Sequence, residues 1–261
     1  MHASRRVAAS RRSDAARVSA LEGRVGLVTG AGRRVGRTIA MALAARGMKV
    51  VVHYNGSAEG ARETVARIEA VGGTATAAHA DLARVADAES LVDGVLARHG
   101  ALAALVNSAA IMHRTPVGET TAEAWDEMFA LNVRAPYFLA QRAAPALRAA
   151  RGAIVNIADL AAFEAWPAYV PHSMTKAAIV QMTRGLAHAL APEVRVNAVA
   201  PGVVLLPDGW SEHEADRLRS TTPLRRLGTP EDVAQAVLYL LDADYVTGET
   251  IRVDGGRHIR T

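Results

Sequence analysis

Residues 23–47 (GRVGLVTGAGRRVGRTIAMALAARG) constrain the fold more than any other stretch. Val25, Gly26, Leu27 and Val28 make an apolar run too short for a helix and suited to a strand buried on both faces. Thr29, Gly30, Ala31 and Gly32 break that run with turn residues. From Arg34 onward Val35, Ile39, Ala42 and Leu43 recur at helical spacing until Gly47 stops the helix. A strand that turns tightly into a helix aims free backbone N–H groups and the positive end of the helix dipole at one point, a site suited to phosphate. Glycine is needed in such a turn because a Cβ would hold the backbone away from a pyrophosphate.

The glycines do not follow G-x-G-x-x-G, since Gly30, Gly32 and Gly36 are two and then four residues apart. The stretch from Thr29 to Gly36 resembles the T-G-x-x-x-G-x-G turn of short-chain dehydrogenases/reductases, with Arg34 at the middle glycine. Pteridine reductases and their bacterial relatives carry arginine at that place. The resemblance implies a dinucleotide held by Thr29, Gly30, Arg33, Arg34, Val35 and Gly36, with Arg34 also facing the substrate.

Composition excludes several other classes. No apolar run approaches the ~18–20 residues of a membrane helix. With no cysteine there is no disulfide, iron–sulfur ligation or thiolate nucleophile, and no metal site is read. Lysine occurs only at Lys49 and Lys176, against 28 arginines, so a retained lysine invites a reason. The formal charge of +4 resides in residues 1–24, which hold Arg5, Arg6, Arg11, Arg12, Arg17 and Arg24 against Asp14 and Glu22. The other 24 basic residues are balanced by 24 acidic ones, so the sequence shows no nucleic-acid patch. Residues 1–22 lack the apolar stretch of a secretory signal, and their Arg, Ser and Ala richness resembles a transit peptide. They are read as a disordered extension or an overlong start, ahead of one domain over residues 23–261 located in the cytoplasm.

Residues 49–53 form a second apolar run, and Ala58–Ala70 the helix after it. An NAD site usually ends this strand with an acid that accepts from the ribose 2′-hydroxyl. The segment His53-Tyr54-Asn55-Gly56-Ser57 has none, which with Arg33 in the facing turn favours NADPH. His53, Asn55 and Ser57 are the candidate contacts, although His53 also reads as a strand-end surface histidine. Thr74–His79 is a third strand, followed by Asp81 and Leu82. In the resembled family an acid here accepts from the adenine amino group, and Asp81 is otherwise an ordinary helix cap. After a helix over residues 83–99 and a strand over 102–106, Asn107, Ser108, Ala109 and Ala110 resemble the family's N-N-A-G, which lines the cofactor. Met112 falls where pteridine reductases place a stacking aromatic.

Thr121 can cap a long helix that runs through Trp125, Met128, Leu131, Phe138 and Leu139, with Asn132 inside it. The family's asparagine holds a water linking the catalytic lysine to solvent; Asn132 also reads as a polar residue at the core edge. Residues 152–158 form a fifth strand, and Asp159 follows where most family members carry a catalytic serine. The family's Tyr-x-x-x-Lys appears as His172-x-x-x-Lys176. Residues four apart share one helical face, so both heads can reach one substrate atom. Asp159 matches the pteridine-reductase subgroup, as does Tyr169 at that subgroup's second tyrosine. Imidazole titrates near 6.5, close to a useful value for a proton donor. Lys176 disfavours the imidazolium and Asp159 favours it. His172 ranks first as donor and Tyr169 second. Residues 194–200 form a sixth strand leading to Pro201 and Gly202, which in the family lie against the nicotinamide carboxamide. A substrate loop is expected near residues 203–222, and the last strand over 250–254.

The expectation is a Rossmann-type doubly wound α/β domain with a parallel sheet and helices on both faces, which the resemblance makes a seven-stranded parallel sheet. The resemblance implies a homotetramer built on the helix over residues 233–241 and the last strand. The function read is NADPH-dependent hydride transfer to a carbonyl or cyclic imine of a small molecule, with a pteridine as one substrate class. The alternatives are a 3-oxoacyl or general ketone reductase, and a non-catalytic NADPH-binding protein.

Overall fold

The computed structural model describes residues 21–206 and 211–259. Seven strands run β1 (Val25–Val28), β2 (Lys49–Tyr54), β3 (Thr74–His79), β4 (Ala104–Asn107), β5 (Ala153–Ile157), β6 (Arg195–Pro201) and β7 (Thr250–Val253). They form one parallel sheet in the order β3-β2-β1-β4-β5-β6-β7. Chain direction across the sheet reverses between β1 and β4, and ligands of doubly wound sheets bind at that switch point beyond the strands' carboxyl ends. The helices are α1 (Arg34–Ala45), α2 (Ala58–Ala70), α3 (Val85–His99), α4 (Ala122–Phe129), α5 (Ala135–Ala149), α6 (Val170–Leu190), α7 (Glu212–Ser220) and α8 (Pro230–Asp242).

Strand side chains alternate between two cores. Val28 joins Ile39 and Leu43 of α1, Ile68 of α2 and Val237 of α8 on one face. Val25 and Leu27 join Val92 and Val95 of α3, Leu139 of α5 and Leu190 of α6 on the other. Burial on both sides explains why β1 is apolar without a break.

Expectations about element boundaries change, β4 for one starting at Ala104 rather than residue 102. Leu21, assigned to the leader, is 3% exposed and packs in the first core, and the Gly23 N–H donates to the Gly47 carbonyl at 2.9 Å. The domain therefore begins no later than Leu21. Helix α3 starts at Val85 rather than residue 83, because the Arg84 N–H closes a turn on the Asp81 carbonyl at 3.0 Å. The long helix after Thr121 is broken by a π turn over Ala130–Arg134 that has Asn132 at its centre. Pro136 has no N–H to give the Asn132 carbonyl four residues back, which removes one α-type bond at that place. Thr121 does cap α4, accepting from the Ala124 N–H at 3.2 Å. Of the expected substrate loop, Pro207, Asp208 and Gly209 lie outside the described residues. Ser211 and Glu214 form a capping box that starts α7.

Candidate active site

The phosphate turn follows β1 and is shaped by missing side chains. Gly30 stands at φ +64, and a Cβ on it would lie 2.9 Å from the Ala109 Cα. A Cβ on Gly36 would lie 2.4 Å from the Gly30 carbonyl oxygen, so α1 reaches the turn only with glycine there. Thr29 Oγ1 accepts from the Ser108 and Ala109 N–H groups at 2.9 and 3.0 Å, tying this turn to the β4 loop across the switch point. Arg33 occupies the N-cap position of α1 without a side-chain cap, which leaves first-turn amides for an anion. Arg33 and Arg34 are exposed, and Val35 is half-buried against the core. Beneath the turn, Arg37 donates to the Gly32 and Gly60 carbonyls at 2.8 and 3.3 Å and to Thr64 Oγ1 at 3.1 Å. Nothing in the glycine spacing pointed to that bracket.

At the ends of β2 and β3, exposed Asn55 comes within 3.5 Å of Asp81 Oδ1, which also accepts from the Ala83 N–H at 3.1 Å. Asp81 thus closes a turn ahead of α3 and does not cap it. Ser57 sits beside the phosphate turn, its Oγ 3.3 Å from where a Gly32 Cβ would be. Two expected cofactor contacts, His53 and Leu82, have side chains committed elsewhere, and a third, Asn107, is committed through its Nδ2 while its buried Oδ1 has no partner among the described residues. His53 is 2% exposed, with Nδ1 3.1 Å from the Gly30 nitrogen and Nε2 3.1 Å from the Ala80 carbonyl, so it is neither a surface histidine nor a free phosphate donor. The Leu82 side chain belongs to the core. Asn107 donates to Asn156 Oδ1 at 2.9 Å, and Asn156 to Thr183 Oγ1 at 2.9 Å, a buried polar ladder between β4, β5 and α6. Gly202, after Pro201 at the end of β6, donates to the Val253 carbonyl at 2.9 Å.

The chemical end lies beyond β5, where α6 crosses. His172 is 2% exposed, and neither ring nitrogen has a hydrogen-bond partner among the described residues. Its Nε2 lies 3.9 Å from Asp159 Oδ2, an ion-pair distance too long for a hydrogen bond. Asp159 Oδ1 accepts from the Ala161 N–H at 2.9 Å, which fixes the carboxylate. One helical turn on, Lys176 is 5% exposed and donates to the Ile157 carbonyl at 2.9 Å. Burial pushes its pKa down, and Asp159 opposes that shift. Asn132 clamps Ile111, accepting from its N–H at 2.9 Å and donating to its carbonyl at 2.8 Å, and also donates to Thr175 Oγ1 at 3.2 Å. Thr175 in turn donates to the His172 carbonyl at 2.7 Å. The site thus brings together Asn132, Asp159, His172 and Lys176, and adds Thr175, which sequence reasoning passed over as spacing inside the motif. Tyr169 is the N-cap residue ahead of α6, edge-on to Trp166 at 6.3 Å between ring centroids, and Met112 is 46% exposed.

Buried polar groups without partners cost about 1–3 kcal/mol each, so two of them on one ring facing a carboxylate mark a place for a bound polar molecule. The Cβ-free approach at Gly30 and Gly36, the uncapped start of α1 and the buried lysine also fit a dinucleotide laid across the switch point. A family model described as Enoyl-(Acyl carrier protein) reductase matches residues 30–258. The chain belongs to the short-chain dehydrogenase/reductase family. It is 38% identical over 248 residues to a Streptomyces violaceoruber protein whose name assigns it as ketoacyl reductase 2 of the granaticin polyketide synthase, covering 91% of this chain and 97% of that one. It is 34% identical over 239 residues to the 3-oxoacyl-[acyl-carrier-protein] reductase FabG of Staphylococcus aureus, covering 89% and 97%. A crystal structure described as a short-chain alcohol dehydrogenase from Sinorhizobium meliloti superposes with a TM-score of 0.87 at 33% identity, covering 92% of this chain and 98% of that one. This member of the family is therefore a short-chain oxidoreductase. None of these relatives is named for a pteridine, and two are named for ketoacyl or 3-oxoacyl reduction.

Proposed function

We propose that the protein is an NADPH-dependent reductase of 3-oxoacyl or similar ketone substrates, with His172 as proton donor. The observation that carries this reading is the buried His172 ring, with both nitrogens unpartnered, beside Asp159 and one turn before Lys176. The relatives named for ketoacyl and 3-oxoacyl reduction favour a ketone over a pterin, and exposed Met112 supplies no flat platform for a heterocycle.

A reduced nicotinamide, if bound beyond β5 beside Lys176, would supply the hydride that reduces the carbonyl carbon. The protein's part is the rest. His172 holds the carbonyl oxygen by a ring N–H and gives it the proton, so that the C=O π pair ends in an O–H bond. The Asp159 carboxylate lies 3.9 Å from Nε2 and places a negative charge beside the ring that gives up the proton. Lys176, anchored on the Ile157 carbonyl, would hold the nicotinamide ribose through its remaining N–H groups. Thr175 and Asn132 hold the backbone of His172 and the Ile111 loop in register.

NADPH preference rests on the acid-free end of β2 and the exposed Arg33 and Arg34. The same reading carries a cytoplasmic homotetramer assembled on α8 and β7. The test is turnover with NADPH and NADH on a 3-oxoacyl thioester, a simple ketone and a dihydropteridine. Reduction of the thioester, with NADPH preferred, is expected; reduction of the pteridine alone, or of none, would overturn the assignment.

A further inference from the structure

Two amides of the phosphate turn are already spent, and both on one residue. The Gly30 N–H donates to His53 Nδ1 at 3.1 Å, and the Ala31 N–H to the His53 carbonyl at 2.9 Å. Because Nδ1 must accept, the neutral ring carries its proton on Nε2, which then donates to the Ala80 carbonyl at 3.1 Å. A single tautomer satisfies both contacts of a ring that is 2% exposed. From the other side Ala109 closes on Gly30, where a Cβ would sit 2.9 Å from the Ala109 Cα. The Gly30 peptide is thus held between β2 and the β4 loop. Ala80 precedes Asp81, so the same ring joins the phosphate turn to the loop after β3.

We infer that His53 is a positioning residue for the dinucleotide: its Nδ1 turns the Gly30 amide inward and sets the backbone on which the pyrophosphate rests. This inference rests on the dinucleotide-binding reading above. It has two consequences for the site. The amides left for the anion are those at the start of α1, not those of Gly30 and Ala31. Recognition of a ribose 2′-phosphate falls to groups with surface left to them, namely Arg33, Arg34, Asn55 and Ser57, because both His53 nitrogens are committed.

Two substitutions separate the ring's two bonds. In H53N the amide oxygen stands as many bonds from the Cα as Nδ1 and can accept from Gly30, but nothing reaches Ala80. In H53Q the amide reaches the Nε2 position and can donate to Ala80, but Gly30 loses its acceptor. Fluorescence titration with NADPH should show H53Q weakened about tenfold, as for one lost hydrogen bond, and H53N weakened less, with KM for NADPH in the same order. Equal losses, or the reverse order, would overturn the inference. A wild type that binds neither NADPH nor NADH would instead sink the dinucleotide reading. Should either variant fail to fold, 15N chemical shifts of the wild-type imidazole decide: protonated Nε2 with bare Nδ1 is expected, and a proton on Nδ1 contradicts the Gly30 bond.

Discussion

Arg34 stands at φ +52, in the left-handed region where a side chain costs roughly 1–2 kcal/mol and glycine nearly nothing. Glycine's looser unfolded chain takes back part of that gain, so Arg34→Gly should stabilise the fold by about 0.5–1 kcal/mol. The same change removes an exposed cation from the phosphate turn, and NADPH binding should weaken. A melting curve paired with a cofactor titration reads both, and a variant that is neither more stable nor weaker in binding contradicts the account. His53 makes the opposite kind of case. Burial, opposed by its bond to Ala80 and reinforced weakly by His79, lowers its pKa from 6.5 to about 4. Its folded-state pKa is depressed, so the unfolded chain takes up the proton first. Stability is full above about pH 6.5 and falls toward pH 4 by about 3 kcal/mol. In H53N the melting temperature should fall less steeply between those pH values; an unchanged slope would assign the acid sensitivity elsewhere. Arg34 was legible because a glycine pattern has a gap that a different residue fills. His53 was legible as a position but not as a role, since its partners Gly30 and Ala80 lie 23 and 27 residues away along the chain.

The strand–turn–helix of residues 25–45 could be read at once, because strand period, turn glycines and helical spacing agree there. The π turn could not, although its cause is visible as Pro136. A proline in the first turn of a helix is ordinary, and only continuity with α4 makes its missing N–H consequential. Asn132 sits in that turn and holds both Ile111 and Thr175. Pro136→Ala restores an N–H four residues after the Asn132 carbonyl and should draw the turn toward a regular helix. The expected result is a melting temperature equal to or above wild type with turnover lowered about tenfold, the effect of roughly 1.4 kcal/mol at the transition state. Full turnover in that variant would show that the turn has no part in placing Thr175 and His172.

For the molecule as a whole, the parallel sheet followed from the alternation of apolar runs with helical segments, whereas the strand order that places the switch point is seen only in the structure. The lower boundary did not, because Leu21 lies in an arginine-rich, aperiodic stretch and gains its burial only from the first core. Leu21→Ala should cost about 2–4 kcal/mol, and the melting temperature should drop by several degrees. No change would return Leu21 to the leader. The candidate site was legible wherever a position matched the short-chain dehydrogenase pattern, and hidden wherever its members meet only in space, as Asn156, Thr183 and Arg37 do. Its centre is a histidine where the pattern has tyrosine, and one kinetic comparison tests that centre most directly. His172→Phe keeps the ring's bulk and removes its proton, with NADPH titration and a melting curve as controls. The account predicts turnover on a 3-oxoacyl thioester reduced ~10²–10⁴-fold with NADPH still bound; turnover at the wild-type rate would contradict it and place the donor elsewhere.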